Sequence, residues 1–170
     1  MNILSSEISL QTKQASTLIL GIGNLILSDD GVGIHVVREL KKKFSSNTDL
    51  EFAEISTCGL SLAERFIGYK KVILIDALAL ENGSPGRVHK LTMNDFNNTI
   101  HMYCAHDCNL ATAYSILLQE LGSEKLPVDV KIIGIEVGKF DEFSTTLSKK
   151  VQKALPKAVA LVIEELMLEL

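Results

Sequence analysis

Residues 17–44, TLILGIGNLILSDDGVGIHVVRELKKKF, leave few alternatives for how this chain can fold. The apolar run 18–22 predicts a buried strand, and the recurrence of Val36, Val37, Leu40 and Phe44 predicts one apolar helix face, so the order is strand, tight loop, helix. Between them lie Gly21, Gly23 and Asn24, then Asp29-Asp30-Gly31 at the mouth of the helix. An aspartate caps a helix well, because its carboxylate accepts from first-turn amides that have no partner inside the helix. Two adjacent aspartates exceed that need: at most one caps with good geometry, and the other is left to face whatever lies above the strand ends. Lys41, Lys42 and Lys43 close the helix, where positive charge suits the macrodipole. Gly21-Ile22-Gly23 reads as a tight strand-to-helix turn or as part of a dinucleotide fingerprint, but the fingerprint needs a third glycine where this chain has Ile26. A phosphate cradle is disfavoured as well, since two carboxylates at a helix entrance repel the anion its amides could hold. For this stretch alone, simple capping and a carboxylate-based site both stay open.

A chain of 170 residues makes one domain able to bury a sizeable core. The expected division is a loose, patternless extension over 1–16, lacking the apolar region of a signal peptide, and a single α/β domain over 17–170. Seventeen basic against 21 acidic side chains leave a net charge of −4, and the only triple-lysine run closes a helix, which argues against a nucleic-acid partner. No apolar stretch reaches the roughly 18 residues that a bilayer span needs; the nearest, 158–170, is broken by Glu164 and Glu165. Cys58, Cys104 and Cys108 are an odd number without a secretion signal, so reduced thiols and a cytoplasmic location are expected.

Along the chain, 50–55 alternates as a second strand, and the small polar loop Ser56-Thr57-Cys58-Gly59 leads to a short helix over 60–67 that stops at Gly68. The segment 71–77, KVILIDA, is the clearest strand, apolar enough for burial on both faces and terminated by Asp76. A carboxylate there is costly unless it is paired, hydrogen-bonded or metal-bound. Turn signals over 81–86 precede a short edge strand over 87–91, running antiparallel, and 92–102 reads as a loop over the site. His106 and Asp107 stand just before a helix over 110–121, whose apolar face is Leu110, Tyr114, Leu117, Leu118 and Leu121. A strand over 128–137, interrupted by Gly134, and a long helix over 147–170, kinked or broken near Ala154 by Pro156, complete the chain.

Strands alternating with helices predict an α/β three-layer sandwich around a mostly parallel, twisted five-stranded sheet. Ligands of such sheets bind at the carboxyl ends of the strands. Asp30 follows the first strand, Asp76 ends the third, and His106 opens a helix that can reach the same rim; they lie 46 and 30 residues apart, so only the fold can assemble them. Each has a plain alternative: Asp30 as a cap, Asp76 as a strand-end acceptor, His106 as a core or helix-start histidine. Together, two carboxylates and an imidazole describe an open site for a borderline divalent ion such as nickel or zinc. Glu136 ends a strand on the same rim and reads as a surface or supporting residue, while His35, His89 and His101 read as structural or exposed. Cys104-Ala105-His106-Asp107-Cys108 could be a compact zinc cluster, though three ligands within five residues make a cramped tetrahedron.

GIGNLILSDDGVG at 21–33, VILIDA at 72–77 and the His106-led helix together resemble the [NiFe] hydrogenase maturation endopeptidase family, in order and spacing, over about residues 17–168. The resemblance implies that Asp30, Asp76 and His106 coordinate a metal and serve the cleavage. It also implies that the chain removes a C-terminal peptide from the hydrogenase large-subunit precursor after nickel insertion. Nickel is then recognised in the substrate and is not a permanent cofactor, and other divalent ions can occupy the same ligands in vitro. Where many relatives have Asp-Gly-Gly-Thr after the second strand, this chain has Ser56-Thr57-Cys58-Gly59. The rival readings are a non-catalytic nickel checkpoint or carrier that docks on the precursor, and a small-molecule hydrolase on the same scaffold.

Overall fold

In the computed structural model, which describes residues 15–93, 95, 110–138 and 143–168, the apolar segments assemble into one five-stranded sheet. Its strands are β1 (Thr17–Ile22), β2 (Leu50–Ile55), β3 (Lys71–Ala79), β4 (Val88–Thr92) and β5 (Asp129–Val137). They lie in the order β2-β1-β3-β5-β4, all parallel except β4, which pairs antiparallel with β5 at the edge. Strand alternation sends odd-numbered side chains such as Ile19, Ile73, Ile75 and Ile133 to one face, under α1 (Val32–Lys43) and α4 (Lys149–Met167). Leu18, Leu20, Val72, Leu74 and Ile132 point to the other face, under α2 (Gly59–Ala63) and α3 (Leu110–Leu121). Covering both faces is what continuous apolar strands require, and the result is the expected three-layer α/β sandwich.

The observed bounds of β2 and α3 match the expected ones, and β4 takes the expected antiparallel edge. Four expectations are corrected. Strand β3 does not end at Asp76 but runs on to Ala79, because β5 continues beside it as far as Val137 and supplies hydrogen-bond partners. The helix after β2 is α only to Ala63 and tightens into a 3₁₀ turn over Glu64–Phe66. Helix α4 is unbroken through Pro156: Ala154, Ala158, Val159 and Val162 are buried against the sheet on either side of it and hold the axis despite the missing amide. Beyond β4, Met93 and Asp95 are helical instead of loop-like, and Thr92 and Asp95 cap each other reciprocally, Thr92 N and Oγ1 donating to Asp95 Oδ2 at 2.8 and 2.7 Å.

Cys58, at the N-cap of α2, is disulfide-bonded, which corrects the reduced-thiol expectation at that residue: three cysteines allow one bridge. Cys104 and Cys108 lie outside the described residues. Among the described residues no helix is long and apolar enough to cross a membrane.

The connections place the site. From β1 the chain moves outward to β2, and from β3 it moves to the opposite side, towards β5 and β4, so the winding reverses between β1 and β3. A crevice opens at the carboxyl ends where that happens. Helix α1 begins directly over it: a Cβ on Gly33 would lie 2.3 Å from Ile75 O and 2.5 Å from Ile22 O, so only glycine lets the helix start this close to both strand ends.

Candidate functional site

Neither aspartate of the first motif caps α1, whose N-cap is Gly31 without a side-chain bond. Both sit one step earlier, in a 3₁₀ turn over Ser28–Gly31. Asp29 is buried and its Oδ1 accepts from Ser148 N at 2.6 Å, fastening the β1–α1 loop to the start of α4. Ser148 in turn caps α4 by accepting from Val151 N. Asp30 points the other way, its Oδ2 accepting from Asn24 N at 2.7 Å. The close return of the loop depends on Gly23, at φ +144°, where a Cβ would lie 2.0 Å from Asp30 O. Half-burial pushes the Asp30 carboxyl above its ordinary range, and the Asn24 amide offsets part of that.

Asp76 lies on β3 one position past Ile75, the last β3 residue paired with β1. The sheet is therefore open on the β1 side at Asp76, although the side chain is only 5% exposed. Its Oδ1 accepts from Ala77 N at 2.8 Å. Burial pushes this carboxyl up to about 7; the Ala77 amide opposes the rise and the charge of Asp30 adds to it. That coupling shows that the two acids share one electrostatic environment. No lysine, arginine or histidine among the described residues pairs with either of them.

Asp30 and Asp76 thus both lie at this rim, near enough for the charge of Asp30 to act on Asp76, and the third expected residue, His106, lies outside the described residues. Leu110, which opens α3 four positions later in the sequence, is on the carboxyl-rim side, because α3 ends at Leu121 and a short link leads from there to the amino end of β5. Among the described residues no group of three or more His, Cys, Asp or Glu could hold a metal ion. The Cys104–Cys108 cluster and His101 also fall outside.

The rim holds a third acid, Glu136, which the sequence alone reads as a surface or supporting residue. Glu136, 2% exposed on β5, accepts from Ser84 N, and its Oε1 lies 2.5 Å from His89 Nε2. Burial alone would raise this carboxyl, but the Ser84 amide and the His89 imidazole together hold it below its ordinary value. His89 is opposite Gly134 in β5, and Gly134 is opposite Asp76 in β3, so Asp76 and His89 occupy one row across the same face. No local motif announces this pair, since it depends on the β4–β5 register. His35, on α1, sits among Arg38, Glu54 and Glu39.

Chemically, two neighbouring acids with no counter-cation among the described residues, one of them poised between protonated and ionised near neutrality, can receive a divalent cation through hard oxygen donors.

Known proteins narrow the choice. A family model for hydrogenase maturation proteases (HycI) matches residues 34–165, a segment that takes in Asp76 and starts just after Asp30. The solved structure of a hydrogenase 2 maturation peptidase from a Thaumarchaeota archaeon is 30% identical, with 88% of this chain and 97% of that one covered and a TM-score of 0.62. A [NiFe] hydrogenase maturation protease from Thermococcus kodakarensis shares the fold at 22% identity and a TM-score of 0.65, over 88% of this chain and 91% of that one. The coenzyme F420 hydrogenase subunit delta of Methanothermobacter thermautotrophicus is 28% identical, with 89% of this chain and 95% of that protein aligned. The family match spans most of the chain, and the expected mostly parallel sheet with helices on both faces is present: the chain belongs to the hydrogenase maturation protease family.

Proposed function

We propose that this protein removes a C-terminal peptide from the large-subunit precursor of a [NiFe] hydrogenase once nickel is in place, and that Asp30, Asp76 and His106 meet that nickel where the precursor holds it. The observation that carries the reading is the coupled pair Asp30 and Asp76, at the switch of the sheet, with no cation beside it among the described residues. A buried acid beside a half-buried one, with no counter-charge among the described residues, is an unfavourable arrangement, and a docking divalent cation relieves it. The raised carboxyl of Asp76 gives the step a proton balance: an approaching cation favours the carboxylate, so the proton leaves Asp76 as the substrate's metal arrives.

Two oxygen donors and one imidazole hold nickel loosely compared with thiolates, which suits a protein that inspects a metal without keeping it. Anchoring the metal end of the precursor fixes the scissile bond over the crevice, and positioning of this kind lowers the barrier by itself. A carboxylate oxygen of Asp30 or Asp76 that the metal leaves free then takes the proton from the attacking water and passes it to the leaving amine as the C–N bond breaks. The test is to incubate the protein with nickel-loaded and nickel-free precursors and weigh the products by mass spectrometry. Loss of a C-terminal fragment from the nickel-loaded form alone is expected, and Asp30→Asn, Asp76→Asn and His106→Ala should abolish it while leaving the circular dichroism spectrum intact. Equal cleavage of the nickel-free precursor overturns the metal's role, and a variant that cleaves at the normal rate removes that residue from the mechanism.

A further inference from the structure

Two bulky apolar side chains stand out from the carboxyl rim: Ile26 is 54% and Phe143 85% exposed. Exposed apolar residues on slack loops usually fold back onto the surface, but these are held on a fastened support. The segment leading into α4 is tied to the β1–α1 loop by Ser144 N donating to Ile26 O at 3.1 Å and Ser28 N donating to Ser144 O at 2.7 Å. Ser28 Oγ donates to Thr146 O at 3.0 Å, and Ser148 N to Asp29 Oδ1 at 2.6 Å. The bridge is parallel, with Leu27 opposite Ser144. Because Ser144 N donates to Ile26 O, the backbones at Ile26 and Phe143 adjoin.

The two exposed apolar residues thus stand on adjoining, hydrogen-bonded backbones, and Ile26 is four residues from Asp30 in the same loop. Burying them in a partner costs little ordering entropy. A solvent-facing apolar pair that contributes nothing to the core marks a contact surface. Its neighbour decides which contact: nearby lie Asp30 and Asp76, with no counter-cation among the described residues, so the complementary surface is an apolar segment next to a divalent cation. We propose that Ile26 and Phe143 form the docking patch for the apolar segment flanking the nickel-bearing end of the precursor, an inference that rests on the proteolytic reading above.

The experiment pairs Ile26→Ser/Phe143→Ser with Val128→Ser, a residue 92% exposed just ahead of β5, at the opposite end of the sheet. With the nickel-loaded precursor as probe, the double variant should raise KM at least tenfold with kcat nearly unchanged, the mark of lost uniform binding. Val128→Ser should change KM less than twofold. Binding is measured independently on an Asp76→Asn background, which should still hold the precursor, and Phe143→Leu should restore most of it. Unchanged KM and binding in the double variant, or an equal loss with Val128→Ser, overturns the docking patch and leaves the protease reading intact. A shift from dimer to monomer in the double variant without weaker precursor binding assigns the patch to self-association and also overturns it. Failure of the unaltered protein to shorten the nickel-loaded precursor, with binding retained, sinks the protease reading and not the patch.

Discussion

The two ends of the sheet treat buried charge in opposite ways. At the amino end, Lys71 opens β3 almost fully buried, lies 3.5 Å from Asp129 and donates to Glu165 O at 2.8 Å. Asp129 also pairs with Lys131 at 2.7 Å, Glu165 with Lys90, and Asp49 Oδ2 accepts from Ser16 Oγ at 2.7 Å. At the carboxyl end, Asp30 and Asp76 have only backbone amides as partners among the described residues. Glu136, two residues beyond the β5 partner of Asp76, is paired with His89 and anchors the β3–β4 loop. The contrast separates acids that hold the structure together from acids that cost stability and are kept for another purpose.

The sharpest way to break this comparison is Asp76→Asn. Cleavage should fall by about a thousandfold or more, while the fold should become more stable near pH 8. The sign follows from the raised carboxyl. The ordinary value is 3.8 and the folded one about 7, so the wild type has the full contribution of this group below the lower value and loses it as pH rises through the upper one. Urea unfolding at pH 5 and pH 8 should show the variant gaining on the wild type by up to a few kcal/mol across that window. No gain at pH 8 would mean that Asp76 is not a desolvated, uncompensated acid.

A smaller effect of opposite kind is expected at the other end. Lys71→Ala removes a buried cation's bond to Glu165 O and its approach to Asp129, and should lower stability by about 2 kcal/mol with cleavage per folded molecule unchanged. A loss of cleavage in the remaining folded protein would blur the division of labour between the two ends. The smallest effect is expected for Glu136→Gln, roughly 1 kcal/mol. Because this carboxyl is held below its ordinary value of 4.5, its contribution is present above that value and lost as pH falls below it. The variant should flatten the acid side of the stability curve, and a thermal unfolding series between pH 3 and pH 7 would sharpen where Glu136 belongs.

Much of this was legible from residue order. The continuous apolar runs at 18–22 and 71–77 could only be strands buried on both faces, and the spacing of Val36, Val37 and Leu40 marked the side of α1 that meets the sheet. Asp30 and Asp76 were singled out because acids at the ends of buried strands need a reason. The roles of the two adjacent aspartates were not separable, since Asp29 is defined by Ser148, over a hundred residues away. The same holds for Glu136 and His89, which read as unremarkable until the β4–β5 register put them in contact. Pro156 misled in the other direction, because a local rule about helix breakers was outweighed by burial on both sides of it.

What the sequence determined by itself is whatever depends on short-range periodicity and solvation: the element order, the layered α/β architecture, and the presence of acids where apolar strands run out. Tertiary structure alone decided which acids stay uncompensated, that Asp30 and Asp76 share one field while Asp29 and Glu136 are fastened elsewhere, and that Ile26 and Phe143 stand together. The reason is physical: a side chain's partners are set by strand register and crossover, and its charge state by burial, and neither is fixed until distant segments have packed.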